Sequence, residues 1–185
     1  MKVLVTGGAG FIGTVVCEQL LARGDAVVCY DALTYAADLA STARLELSDN
    51  YGLVKGSVQD TARLLNALTR HQPDAVIHLA AESHVDRSIS GSYSFVDTNV
   101  LGTYGLLDAL RQYLGNSPGA FRLVHVSTDE VFGDLPLDSA ESFDETSSYR
   151  PSSPYSASKA AADHLVRAWG RTYGVPYLIT HGANT

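Results

Sequence analysis

The sequence predicts an α/β chain built as a doubly wound parallel sheet, and three features predict it. Short β-rich runs alternate with longer segments of helical period along all 185 residues, the order expected of repeated βαβ units. Runs such as Val3-Leu4-Val5 and Val76-Ile77-His78-Leu79 are apolar on both faces, as strands are when helices cover both sides of a parallel sheet. The first run also passes directly into Thr6-Gly7-Gly8-Ala9-Gly10-Phe11-Ile12-Gly13, a glycine-rich turn from strand into helix.

Taken in order, Lys2–Thr6 is the first strand, followed by a helix over Phe11–Arg23 with apolar residues at three- and four-residue spacing. Strands are expected next at Ala26–Tyr30 and Tyr51–Lys55, then a helix over Thr61–His71 and a fourth strand at Ala75–Leu79. A long helix over Phe95–Leu114 leads to a fifth strand at Leu123–Ser127. Ser152-Ser153-Pro154 then marks a helix start, and the helix Pro154–Tyr173 precedes a last strand at Pro176–Thr180. Asp134–Ser153, rich in Ser, Pro and acidic residues, is expected to be a surface loop near the strand ends.

The composition is that of one globular domain over residues 1–185, 45% hydrophobic and 18% charged. A formal net charge of −7 with three scattered lysines argues against a surface for nucleic acid or anionic lipid. No long apolar stretch suggests a membrane span or signal peptide, so a cytoplasmic location is expected. Cys17 and Cys29 lie in apolar segments and read as reduced core thiols. His78 and His125 lie within strands and read as hydrogen-bonded core or strand-end histidines; no ligand spacing accompanies them, and no metal is expected.

The glycines stand where the backbone must turn sharply and approach a pyrophosphate, with Phe11, Ile12 and Gly13 at the positive end of the helix. Gly7, Gly10, Phe11, Ile12 and Gly13 are therefore candidate cofactor residues. Asp31 follows the second strand 18 residues after Gly13, close to the spacing of a carboxylate that accepts from the adenosine ribose. Its charge would repel a 2′-phosphate, which favours NAD over NADP. Tyr155 and Lys159, four residues apart at a helix start, can reach one site. There an ammonium beside the phenol would lower the tyrosine pKa for acid/base work. Tyr51 and Lys55 share that spacing, but in a strand four residues span about 13 Å, too far for a compact pair.

The stretches "VTGGAGFIG", "LAAESHVDRSI", "VSTDEVFGDL" and "PSSPYSASKAAADHLVRAW" resemble the extended short-chain dehydrogenase/reductases that act on nucleotide sugars, with their Rossmann fold. Within that family they are most similar to the dTDP-glucose 4,6-dehydratases, where Thr-Asp-Glu distinguishes this branch from epimerases and from relatives that carry Ser-Thr-Ser-Glu. The resemblance implies NAD as cofactor, a dTDP-glucose-like nucleotide sugar as substrate, and a homodimer formed through the two long helices. It implies that Tyr155, aided by Thr128 and Lys159, removes the proton from the 4-hydroxyl. Glu130 would then take the C5 proton while Asp129 protonates the departing 6-hydroxyl. Leu79, Ala80, Ala81, Ser57 and Val58 would line the NAD together with Tyr155 and Lys159; Ser83, His84, Thr128 and Asn184 would face the sugar. Adjacent strand residues point oppositely, so Asp129 and Glu130 need an irregular backbone to reach one substrate.

The chain departs from the family at two places. Gly56-Ser57-Val58 stands where relatives carry an acidic residue near the adenine, and "THGANT" stands where relatives read Cys-Ser-Asn-Asn and continue into a C-terminal substrate region, expected to be absent here. Two other functions stay open on these residues: a different NAD-dependent sugar-nucleotide decarboxylase or epimerase, and a non-catalytic NAD-binding module.

Overall fold

Six strands pair side by side, all parallel, in a computed structural model that describes residues 1–115, 119–136 and 141–183. They are β1 (Lys2–Thr6), β2 (Ala26–Asp31), β3 (Tyr51–Lys55), β4 (Ala75–His78), β5 (Arg122–Thr128) and β6 (Tyr177–Gly182). The sheet order is β3-β2-β1-β4-β5-β6. The chain therefore starts in the centre, winds outward to β3, and returns across β1 to wind the other way, which is the doubly wound arrangement.

Helices cover both faces. On one side α1 (Phe11–Ala22) and α2 (Leu39–Leu45) bury Cys17, Leu20 and Leu45 against Val3, Val5 and Val27. On the other, α3 (Thr61–His71), α6 (Gly102–Leu114) and α7 (Pro154–Tyr173) bury Leu64, Leu68, Leu106, Leu110 and Val166 against Leu4, Val28, Val76 and Leu123. Alternate residues of one strand thus feed two separate cores, which is why Val3-Leu4-Val5 carries no polar face.

Register fixes where the strands stop. Thr6 lies level with Tyr30 on β2 and with His78 on β4, and His78 lies level with His125 on β5. Glycine loop, β2 end and β4 end are therefore flush. β5 runs three residues farther, to Thr128, supported there by β6 through the pairs Ser127 with His181 and Thr128 with Gly182.

Several elements differ from expectation. The seven-residue α2 has little helical period of its own; the Asp38 carboxylate caps it, accepting from the backbone N–H of Ala40 and Ser41. The six-residue α4 (Val85–Ser90) is also absent from the sequence pattern. The long helix ahead of β5 is not uniform: after α5 (Tyr93–Phe95), residues Val96–Leu101 form a π-helical turn before α6. The described part of the segment over 134–153 does not simply lie in solvent, because Phe143 and Tyr149 pack on Phe132 and Ala160. Among the described residues no helix is long and apolar enough to cross a membrane.

A Cβ at Gly13 would lie 2.0 Å from the Gly7 carbonyl oxygen and 2.7 Å from Gly8 Cα, so the α1 start and the glycine loop touch backbone to backbone. Gly13→Ala should destabilise the fold by about 1–3 kcal/mol in urea unfolding. Gly52→Ala, with nothing within 4 Å of the added carbon, should stay within about 1 kcal/mol of the parent.

Candidate active site at the carboxyl edge of the sheet

A cleft of about 740 Å³ opens over the flush ends of β1, β2 and β4. Gly7, Gly10, Phe11, Ile12 and Gly13 form one wall. Gly7 has φ 70°, and a Cβ there would sit 2.6 Å from the Ala80 nitrogen, so the loop presses directly on the backbone that follows β4. The N-cap of α1 is Gly10, which has no side chain to accept from the first turn. The N–H groups of Phe11, Ile12 and Gly13 therefore have no intrahelical acceptor and, with the helix dipole, form a cradle for a phosphate.

Asp31 closes the far side of this loop. Its Oδ2 accepts from Ala9 N–H at 3.0 Å and its Oδ1 from Leu33 N–H at 2.7 Å, which also holds Leu33 in its left-handed conformation, φ 55°. One lone pair on each oxygen is left for a ligand. The carboxylate thus shapes the cleft as well as facing it, a task that spacing alone did not reveal. Ser57 and Val58 line the cleft beyond β3, and Leu79, Ala80, Ala81, Ser83 and His84 line it beyond β4. Asn184 lies outside the described residues.

The start of α7 faces the cleft from the other side. Ser153 and Ser156 form a reciprocal capping box with Pro154 in the first turn, and this fixed start presents Tyr155 and Lys159 to the cleft. The expected ammonium–phenol effect is not what the geometry gives. Lys159 donates to the Val126 carbonyl at 2.7 Å, and burial lowers its pKa to about 8 against the opposing pull of Asp163. Burial and the Glu130 carboxylate raise the Tyr155 pKa, while a hydrogen bond with Thr128 works against them. Without a ligand, Tyr155 is a neutral phenol.

β5 gives way at Asp129 to a 3-10 turn over Asp129–Phe132, the irregular backbone that two adjacent carboxylates require. Thr128 caps this turn, accepting from Glu130 N–H at 3.3 Å, and its hydroxyl donates to Asp129 Oδ1 at 3.4 Å. Thr128, Asp129 and Glu130 are not part of the cleft lining; they meet it through Tyr155, whose titration all three influence. Burial, Asp129 and Asp134 push the Glu130 carboxyl up, the direction a base beside another acid requires.

Three polar groups at the site escaped the sequence reading. Gln59 lines the cleft beside Ser57, which donates to its Oε1, and its Nε2 donates to Asp97 Oδ2 at 3.0 Å. The buried Asn99, inside the π-helical turn, exchanges hydrogen bonds with the Glu82 backbone at 2.8 and 2.9 Å and donates to Ser158 at 2.9 Å, tying the loop after β4 to α7. Tyr35 reaches across to Glu82 Oε2 at 2.9 Å, with Arg87 over its ring. A polar Asn inside an apolar helical run was the one available signal among them. His78 is buried between Thr6 and Thr103 and His125 against Asp163, both hydrogen-bonded core groups. Cys17 and Cys29 are buried free thiols. Among the described residues no group of three or more His, Cys, Asp or Glu is placed to hold a metal ion.

The GDP-mannose 4,6 dehydratase family model matches residues 4–185. The chain belongs to that family. It is 50% identical over 196 residues to a dTDP-glucose 4,6-dehydratase of Escherichia coli, covering 100% of this chain and 54% of the relative. It is 53% identical over 185 residues to the one from Xanthomonas campestris, covering 98% and 52%. The chain thus spans about half the length of the curated relatives it matches. Among solved structures, the dTDP-glucose 4,6-dehydratase of Streptomyces venezuelae with NAD bound is similar at TM-score 0.88 and 43% identity, over 98% of this chain and 55% of the other. The UDP-glucose 4-epimerase of Thermus thermophilus with NAD is similar at 0.85 and 34%, over 98% and 54%. Backbone likeness alone does not separate dehydratase from epimerase.

The charges around Tyr155 predict its titration. Removing a neighbouring negative charge favours the phenolate, so Glu130→Gln should lower the Tyr155 midpoint; Thr128→Val, which deletes the opposing hydrogen bond, should raise it. Phenolate absorbance measured against Tyr155→Phe isolates this group from the other nine tyrosines of the ten in the sequence.

Proposed function

We propose that the chain is the cofactor-binding and catalytic part of an NAD-dependent dTDP-glucose 4,6-dehydratase. The observation that carries this reading is the 3-10 turn at the end of β5, which sets Asp129 and Glu130 beside Tyr155. The relatives at 50 and 53% identity are dTDP-glucose 4,6-dehydratases, and NAD-bound neighbours of the same fold support the cofactor. The cleft fits that group: a side-chain-free cradle at Gly7 and Gly10 for its pyrophosphate, and lone pairs on Asp31 for the adenosine ribose. When bound, NAD supplies the acceptor for the C4 hydride and, reduced, the donor for C6.

The chain's own groups would move the protons. Tyr155, as the phenolate that the Lys159 cation would favour once cofactor and sugar are bound, takes the 4-hydroxyl proton. Glu130, as carboxylate, removes the C5 proton, acidified by the neighbouring 4-ketone. Asp129, as acid, protonates the 6-hydroxyl so that it leaves as water. An epimerase needs no such pair.

Residues 1–185 then serve as the NAD-binding domain of such an enzyme, over about half the length of the relatives it matches. A homodimer through the long helices is the assembly that Leu101, Tyr104 and Tyr173, each about half exposed, would support.

Incubation with NAD and dTDP-glucose should give a 4-keto-6-deoxy sugar. Glu130→Gln should lower turnover roughly 10²–10⁴-fold and leave the affinity for NAD unchanged; a dTDP-galactose product, or full activity in that variant, contradicts the assignment. Because the Glu130 carboxyl is pushed up from its ordinary value by burial, Asp129 and Asp134 and acts ionised, the acid limb of turnover should lie at higher pH than for an unperturbed glutamate, and a limb at the ordinary position argues against Glu130 as the base.

A further inference from the structure

A buried carboxylate stands behind the wall of the cleft and takes no part in the proton transfers above. Asp163 lies one helical turn beyond Lys159 on α7 and is 0% exposed. Its Oδ1 accepts from His125 Nε2 at 3.0 Å, and its Oδ2 accepts from Ser127 Oγ at 2.8 Å and from the Tyr149 hydroxyl at 3.0 Å. His181 Nε2 is 3.3 Å from Oδ2. These partners come from β5, from the segment ahead of α7 and from β6. A carboxylate so enclosed needs a counter-charge as well as donors.

Two groups that can carry positive charge face it: His181, whose Nε2 is 3.3 Å from Oδ2, and Lys159, one helical turn back on α7. Burial and Lys159 push His125 down to about 4, so at neutral pH it is an uncharged donor. His78, stacked on His125 from β4, is also held uncharged by burial. Ser127 and Tyr149 are neutral hydroxyls, and Arg167 reaches the Tyr149 hydroxyl at 3.3 Å rather than the carboxylate. On the cleft side, Tyr155 is a neutral phenol and Asp129 and Glu130 are acids. Lys159, itself only 5% exposed, is the buried cation on the same helix face. Hydrogen bonds from His125 and Ser127 and the charge of Lys159 outweigh burial and hold the Asp163 carboxyl below its ordinary range.

We propose that Asp163 is a positioning residue whose carboxylate, held by His125, Ser127 and Tyr149, keeps the Lys159 ammonium charged inside the cleft. Burial removes much of the reason for a lysine to stay protonated, and Asp163 is the group that opposes it. A pKa of about 8 leaves roughly ten ammonium forms per free amine at pH 7; without the carboxylate the amine would become a major form. The catalytic consequence rests on the proposed function, in which Lys159 acts as a cation beside Tyr155.

The three lysines, Lys2, Lys55 and Lys159, make a direct test possible. Labelling with [ε-¹³C]lysine gives three resonances, assigned with Lys159→Met. In the parent, Lys159 should titrate near 8. In Asp163→Asn its midpoint should fall by about one unit or more, at least tenfold in proton affinity, with Lys2 and Lys55 unmoved. A folded variant with an unchanged Lys159 midpoint overturns the proposal, since a purely structural Asp163 would alter melting alone. If Asp163→Asn does not fold, [γ-¹³C]aspartate in Lys159→Met decides: a raised Asp163 midpoint supports the coupling, and an unmoved one overturns it. Neither titration requires turnover, so a parent chain that makes no product would sink the proposed function and leave this coupling standing. Where turnover is present, Asp163→Asn should shift its alkaline limb to lower pH.

Discussion

The parallel register at Thr6 is the constraint on which the rest depends. Because Thr6 is level with both Tyr30 and His78, three chain segments leave the sheet at one height: the glycine loop, the turn at Asp31 and the run from Leu79. A parallel sheet must route each of these into a crossover rather than a hairpin, so their backbone N–H groups and short side chains gather on one edge. β5 breaks this levelling by running on to Thr128 with β6 beside it. That extra length lifts Thr128, Asp129 and Glu130 above the cleft floor, on the side where α7 begins.

The site is assembled from groups that oppose one another electrostatically, and magnitudes decide each contest. Burial alone would favour a free amine at Lys159; with the Asp163 carboxylate one turn away, the pKa settles at about 8 and the cation persists at neutral pH. The same burial, with Glu130, keeps Tyr155 protonated despite its bond to Thr128. His125, as fully buried as Asp163, is held neutral by burial and Lys159, which push its pKa down to about 4. The Asp163 carboxylate is thus held by hydrogen bonds from His125 and Ser127 together with the charge of Lys159.

Much of this was legible in the sequence, for identifiable reasons. Strands fed by two cores carry uninterrupted apolar runs, so β1 to β6 fell within a residue or two of expectation, and the glycine spacing placed Gly7, Gly10 and Gly13 on the cleft wall. The 3-10 turn was foreseeable because Asp129 and Glu130 could not share a face in a strand. The short α2 and α4 were not, since a one- or two-turn helix held by a cap leaves little period to detect. Gln59, Asn99 and Asp163 were missed because partners 38 to 59 residues away give them their meaning. Helical spacing places Lys159 and Tyr155 on one face without saying that the Val126 carbonyl takes the ammonium or that burial and Glu130 hold the unliganded phenol protonated.

In the proposed function the strand-end edge is a dinucleotide cradle in which Asp31, which braces the loop, also meets the ribose. Calorimetric titration of the protein with NAD and with NADP tests this most directly. Saturable binding of NAD is expected, with at least about tenfold weaker binding of NADP, whose 2′-phosphate would face the Asp31 carboxylate. Equal or tighter binding of NADP, or no heat of binding with NAD, would contradict it.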